Sequence, residues 1–295
     1  MAAVRQPPLA LGLGFSRDGH PHLGPGSRRQ EEGVFALTLE RKYYRRGNTI
    51  VKRSLRPHEF RFTHHGALHV PRLGLNSLRN EADCLRFVRR HLPDVPVPNL
   101  VCDFEDDGAY HLITEFVPGV CMNELPEEAR AVVRQELDGH VARLKTLTSK
   151  FLGGPTGIIV PPRRAMRKTI RSEWIPLPIP EGPEDGDNSL ISRKGTGEYV
   201  FCHNDLVQSN VIVDPRSLKI RAILDWECAG FYPAFFEKRF YKLAGPSSSG
   251  LEGMLQRRVV PGEEVDDDAF RLLDFLDAHS VEVCCLCVIV SVSRY

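Results

Sequence analysis

FCHNDLVQSNVIVDPRSLKIRAILDWECAG, residues 201–230, decides how the rest of this chain is read. His203 and Asp205 sit two apart, and Asn210 follows five residues after Asp205. Val211–Val213 is an apolar triplet. Asp214-Pro215, with Ser217 close behind, is a turn signal, and a second apolar run, Ile220–Leu224, ends at Asp225-Trp226. Paired as antiparallel strands, the two runs bring Asn210 and Asp225 together at the open end of a hairpin. An Asn and an Asp at strand ends, with Asp205 in the loop before them, are oxygen ligands suited to Mg²⁺ and phosphate chemistry.

Upstream, VFALTLERKYY from Val34 has strand composition, Arg45-Arg46-Gly47-Asn48 reads as a turn, and Thr49–Leu55 as a second strand carrying Lys52. Residues 56–75 are ambiguous. His64, His65 and His69 there read as loop histidines, because no Cys or carboxylate cluster completes a metal site. Ser77 is placed to cap a helix running to about His91. Leu78, Leu85, Val88 and Leu92 form its apolar stripe, and Glu81 falls on that stripe. Either Glu81 meets a cation, for which Lys52 is the candidate, or it reaches water from the stripe's edge. The prolines of Leu92–Pro98 stop the helix. Two short strands follow, around 100–104 and 110–116, joined by the acidic turn Glu105–Gly108. Val117-Pro118-Gly119 has the character of a hinge between two lobes.

Pro126 opens a long helix with Glu127 and Glu128 in its first turn and a buried face at 129, 133, 137, 141 and 144, expected to end near Gly153-Gly154. Residues 155–198 form a long irregular insertion, with Trp174 as its anchor. After the central stretch, Phe231–Leu243 is expected to be helical, 245–266 a loop and 267–279 a short helix. The segment Val281–Tyr295 is apolar and β-branched.

The totals are those of a globular protein of one large domain or two lobes: 295 residues, 42% hydrophobic and 26% charged. A net charge of +1 calls for neither nucleic acid nor an anionic membrane as partner. No apolar run approaches the ~20 residues of a membrane helix. The apolar patch near the start is broken by Gly12 and Gly14, unlike a secretory signal, so a cytoplasmic protein is expected. Residues 1–30, rich in Gly, Pro and Arg, are expected to be disordered. Eight cysteines without a CxxC suit buried, reduced thiols. Cys284, Cys285 and Cys287 lack a fourth metal ligand at usual spacing.

Phosphoryl transfer from ATP needs a carboxylate to orient the attacking hydroxyl and accept its proton, Mg²⁺ on the phosphates, a cation at the α/β-phosphates, and a cleft. Asp205 suits the first role, Asn210 and Asp225 the metal, and Lys52 held by Glu81 the cation. The order Lys, Glu, hinge, His-x-Asp-x4-Asn, hairpin, Asp is far harder to obtain by chance than any one part.

HNDLVQSN, VIVD and ILDWECAGFYPAFFE together resemble the aminoglycoside phosphotransferase/choline kinase family, nearest its fungal branch of small-molecule kinase-like proteins. VKRSLRPHEF, NEADCLRFVRRH, VPVP and ITEFVPG also fit, so the resemblance covers about residues 34–243. Protein kinases are similar in fold, but they carry DFG and APE where this chain has Asp225-Trp226-Glu227 and a Pro-x-x-x-Glu segment. The resemblance implies an α+β, two-lobed protein-kinase-like fold, with a β-rich N-lobe at 31–117 and a mainly helical C-lobe at 118–295. It implies Asp205 as catalytic base and Asn210 and Asp225 as Mg²⁺ ligands. Lys52 and Glu81 would be the phosphate-binding ion pair, and Glu115–Val117 the hinge that meets adenine through its backbone. His203 would be the histidine that fixes the catalytic loop. Trp226 would pack behind the metal ligand. The expected cofactors are ATP and Mg²⁺, the partner a small molecule bearing a hydroxyl, and the protein a monomer.

Three features depart from the family. Asn204 stands where the family carries Gly, which fits the same loop if φ is negative or Asn accepts the left-handed region. No first strand or nucleotide-covering loop is found before Val34; Arg45–Gly47 and LGLGF at 11–15 are the nearest candidates. The segment 281–295 does not follow the family pattern. A kinase-like protein that binds a nucleotide or ligand without turnover therefore stands beside the enzyme as an alternative.

Overall fold

The computed structural model describes residues 33–63, 66–71, 73–162, 175–176, 191–192, 199–242 and 280–281. The run from Val34 to Tyr44 holds two strands, not one. β1 (Val34–Leu37) and β2 (Arg41–Arg46) pair antiparallel across Thr38–Glu40. Thr38 folds that connection, its Oγ1 accepting the Glu40 and Arg41 amides at 3.2 and 3.0 Å. The first strand sought before Val34 thus lies inside the run, and the connection after it contains no glycine. Because β2 continues to Arg46, the expected four-residue turn shrinks to Gly47-Asn48, with Gly47 at φ +55°. β3 (Thr49–Ser54) carries Lys52 opposite Tyr43.

The ambiguous stretch forms a small ladder, β4 (Arg61–Phe62) with β5 (Leu68–His69). Helix α1 (Gly74–His91) follows. It begins three residues before Ser77, so Ser77 is not its cap. The Ser77 amide already donates to Leu73 O at 2.8 Å, and its hydroxyl meets Arg41. The stripe is as expected: Leu78, Glu81, Leu85, Val88 and Leu92 are all buried. β6 (Leu100–Asp106) and β7 (Ala109–Glu115) complete a five-stranded sheet in the order β1-β2-β3-β7-β6, with α1 packed against β3, β6 and β7.

Beyond Glu115 come β8 (Val120–Cys121) and α2 (Glu127–Leu144), which buries Val133, Leu137, Val141 and Leu144. Helix α2 stops well short of Gly153. The Leu147 carbonyl accepts the Phe201 amide, and β9 (Thr148–Ser149) is needed as a strand beside β12 (Tyr199–Cys202). β10 (Ile175–Pro176) and β11 (Ile191–Ser192) are the strands described in the insertion, β11 pairing with β9. The expected hairpin forms from β13 (Val211–Val213) and β14 (Ile220–Ile223), with β8 on its open edge. Gly119 permits that approach: a Cβ there would lie 2.6 Å from Ile212 Cγ2 and 2.7 Å from the Val213 carbonyl oxygen.

Residues 231–242 are not an α-helix. β15 (Gly230–Tyr232) pairs with β12, Pro233 ends it, and two 3-10 turns follow at Ala234–Phe236 and Phe240–Lys242. β16 (Ser280–Val281) pairs with β10. Residues 1–30 with LGLGF, Trp174 and most of the insertion, the expected helix at 267–279 and nearly all of 281–295 lie outside the described residues.

A β-rich first half and a second half built on α2 and the hairpin make the α+β, two-lobed protein-kinase-like arrangement. Its largest core runs between the halves. Phe87 of α1 meets Phe201 of β12 at 5.0 Å and Phe231 of β15 at 5.6 Å, centroid to centroid, beside buried Trp226. The five described cysteines are free thiols, and all but Cys102 are buried. No helix among the described residues is long and apolar enough to cross a membrane.

Candidate active site

The hairpin register fixes the first relationship. Val211 faces Ile223, and the Leu224 amide donates to Asn210 O at 2.8 Å, so Asn210 and Asp225 stand at the same end of the ladder. Asn210 then turns back on the preceding loop, its Nδ2 donating to Asp205 O at 2.9 Å. His203 closes the loop from the other side. The Asp205 amide donates to Nδ1 at 3.2 Å, which makes Nδ1 the acceptor, so the ring proton is on Nε2 and is donated to Leu224 O at 2.9 Å. His203 is fully buried, and burial pushes its pKa down to about 4 despite the Leu224 bond, so the ring is neutral. It reaches backbone, not open space: it braces both ends of the Asp205–Asp225 arrangement.

Lys52 lies under the sheet. Its ammonium bonds Glu81 Oε1 at 2.7 Å and also contacts the Asp225 carboxylate. Burial alone would lower its pKa. Asp225 and then Glu81 outweigh burial and hold it above its ordinary value, as an ammonium. Of the two fates left open for Glu81, the structure shows the ion pair: Glu81 is 3% exposed.

A cleft of about 270 Å³ opens beside this pair. Lys52, Glu81, Glu115, Val117 and Asp225 line it. Cys121 and Glu124 form part of its floor, where burial and the Glu124 carboxylate push the Cys121 thiol up to about 12. The Glu115 carboxylate is turned away and holds the Asn99 amide and side chain at 2.9 and 2.8 Å. The Phe116 amide donates to Asn48 O. Among the described residues the Val117 amide has no hydrogen-bond partner. Asp205, His203 and Asn210 do not line this cavity; they join it through Leu224 and Asp225.

Four buried residues make long-range contacts that the sequence did not foretell, although Asn204 and the segment ending at Glu237 stood out in it. Arg41, fully buried on β2, bonds Ser77 Oγ at 2.8 Å and pairs with Glu227. Asn80 Nδ2 donates to Glu227 O and Ala229 O at 2.8 and 2.9 Å, tying α1 to the turn after Asp225. Glu237, the last residue of the Pro-x-x-x-Glu segment, accepts the His203 and Asn204 amides. Asn204 takes φ +69°, the left-handed alternative, and donates through Nδ2 to Cys228 O at 2.9 Å. The contacts themselves join residues far apart in the chain.

Residues 165–237 match the family model described as "Phosphotransferase enzyme family". An aminoglycoside 3'-phosphotransferase of Streptomyces ribosidificus is 31% identical over 182 residues, 56% of this chain and 67% of that protein. A probable choline kinase 1 of Arabidopsis thaliana is 28% identical over 140 residues, 44% of this chain and 40% of that protein. The chain thus spans about two thirds or less of these relatives' lengths. Among solved structures, an aminoglycoside phosphotransferase APH(3'')-Id of Streptomyces rimosus, in complex with ADP and streptomycin, superposes with a TM-score of 0.47 and 18% identity, covering 84% of this chain and 93% of that one.

Proposed function

Because the chain belongs to the phosphotransferase enzyme family, we propose that it transfers the γ-phosphate of ATP to a hydroxyl of a small molecule, with Mg²⁺. The observation that carries this reading is the Lys52 ammonium shared by Glu81 and Asp225 at the edge of the cleft that Glu115 and Val117 line.

Residues 31–117 are the nucleotide side in this reading and 118–295 the catalytic and substrate side, including the insertion at 155–198. The Glu115 carbonyl and Val117 amide meet the base. Lys52 neutralises the α/β-phosphates, and Glu81 holds it in place. The donor set fits Mg²⁺: Asn210 spends its Nδ2 on Asp205 O, which leaves Oδ1 as the coordinating end, and Asp225 adds a carboxylate. Bound there, Mg²⁺ supplies charge neutralisation across the phosphates. Asp205, fixed at its amide by His203 and at its carbonyl by Asn210, orients the acceptor hydroxyl and takes its proton. A cytoplasmic monomer completes the reading.

A second reading is a nucleotide-binding protein without turnover. It is favoured by the β1–β2 connection, Thr38-Leu39-Glu40, which has no glycine where a backbone could drape over phosphates. One experiment separates the two. Mg-ATP binding is measured by thermal shift, and ADP release is screened against hydroxylated metabolites, beside Asp205→Ala and Asp225→Ala. The enzyme reading predicts binding by the wild type and ADP release that Asp205→Ala abolishes. Binding without release above the Asp205→Ala background supports the second reading, and absence of binding sinks both.

A further inference from the structure

We propose that Asn204 is a positioning residue for phosphoryl transfer, its side-chain amide fastening the loop that carries Asp205 to the turn that follows Asp225. This rests on the phosphotransferase reading above.

Asn204 immediately precedes Asp205 and is 2% exposed. Its backbone is left-handed, a conformation glycine adopts freely and that Asn tolerates better than most side chains. The backbone requirement alone is met by the family's glycine. Asn adds a directed donor, and here Nδ2 reaches the Cys228 carbonyl at 2.9 Å.

The position of that carbonyl gives the bond its consequence. Asp225 is itself left-handed, at φ +61°, and opens the 3-10 turn Trp226–Cys228. His203 holds Leu224, the residue before Asp225. Asn204 holds Cys228, three residues after it. Asp225 is thus bracketed by two consecutive residues of the catalytic loop. Glu237 supports both, by accepting the His203 and Asn204 amides. The carboxylate proposed to bind metal and the carboxylate proposed to take the proton are set against each other by a short rigid frame. Phosphoryl transfer depends on such placement, where about 1 Å of error costs orders of magnitude in rate.

Two substitutions separate the side-chain bond from the backbone shape. Asn204→Gly keeps the left-handed turn and removes the donor. Asn204→Asp keeps turn and shape but presents a carboxylate to the Cys228 carbonyl. Each variant is measured as the full chain by three readouts: melting temperature without ligand, ATP affinity by calorimetry in EDTA and in Mg²⁺, and ADP release as kcat and KM. We expect Asn204→Gly to melt close to wild type, Asn204→Asp to melt lower because it buries a carboxylate, and both to bind metal-free ATP as the wild type does. The gain in ATP affinity on adding Mg²⁺ should fall about five- to ten-fold, the worth of one hydrogen bond, with the KM for Mg-ATP rising in step and kcat falling at least as far. Asn204→Gly with a wild-type Mg²⁺ gain and wild-type kcat overturns the inference and leaves the phosphotransferase reading standing. A lower melting temperature with both quantities intact also overturns it, since the bond is then only structural. A wild type without Mg²⁺-dependent ATP binding removes both proposals together.

Discussion

Arg41 of β2 and Glu227, two residues beyond Asp225, form a buried ion pair that ties the five-stranded sheet to the turn behind the hairpin. The guanidinium is anchored a second time, on Ser77 of α1. Sheet, helix and turn therefore meet at one cation.

Breaking this pair from either side deprives a buried charge of a close counter-charge. Arg41→Met and Glu227→Leu should each cost about 3–5 kcal/mol of stability, and the double variant much less than the sum. Urea unfolding of the four proteins gives the coupling. Additive losses would show that the pair does not act as a unit.

Lys52→Met removes the ammonium that Glu81 and Asp225 share. ADP release should fall by about a hundred-fold or more, the usual effect of losing a charge that acts on the transition state. Lys52→Arg should rescue little, because a planar fork does not fit the space of a compact ammonium between two carboxylates. Activity within a few-fold of wild type in Lys52→Met would remove Lys52 from the proposed mechanism.

His203 sets a pH dependence. Its folded pKa, about 4, lies below the roughly 6.5 of an unfolded histidine, so unfolding takes up a proton between these values. The stability held by the neutral ring is complete above about pH 6.5 and is lost as pH falls towards 4, to a total of about 3 kcal/mol. Urea midpoints at pH 7.0, 6.0 and 5.0 should fall in the wild type and stay flatter in His203→Gln. Equal slopes would place the titration elsewhere.

Gly154 lies against Asn80, and a Cβ on it would overlap Asn80 Oδ1. Gly154→Ala should therefore disturb a contact on the other side of Asn80, its bonds to Glu227 O and Ala229 O. We expect both a lower melting temperature and faster hydrogen exchange in residues 226–229. Destabilisation with unchanged exchange there would show that Asn80 adjusts without loosening its hold.

Elements whose signals are local were legible in advance. The hairpin was, because two apolar runs flank Asp214-Pro215, and its register set Asn210 beside Asp225. Glu81 was legible in part: its place on an apolar stripe left either a cation or water, and the family resemblance pointed to Lys52. Elsewhere long-range pairing overrode local propensity. Thr38 folded one apparent strand into two, Ser77 was taken by Arg41 rather than by a cap, and β12 drew both Thr148–Ser149 and Gly230–Tyr232 into strands. Arg41 and Glu227 carry no local signal of each other at 186 residues' separation.

Helix α1 carries Glu81, the partner of Lys52, and next to it Asn80, whose side chain is fastened to the turn behind Asp225. In protein kinases the corresponding helix can swing, and its displacement separates lysine from glutamate to silence the enzyme. Here the residue beside the glutamate ties the helix to the half that carries Asp205 and Asp225. Under the proposed function, the same two bonds that hold the turn behind Asp225 also resist a swing that would part Glu81 from Lys52.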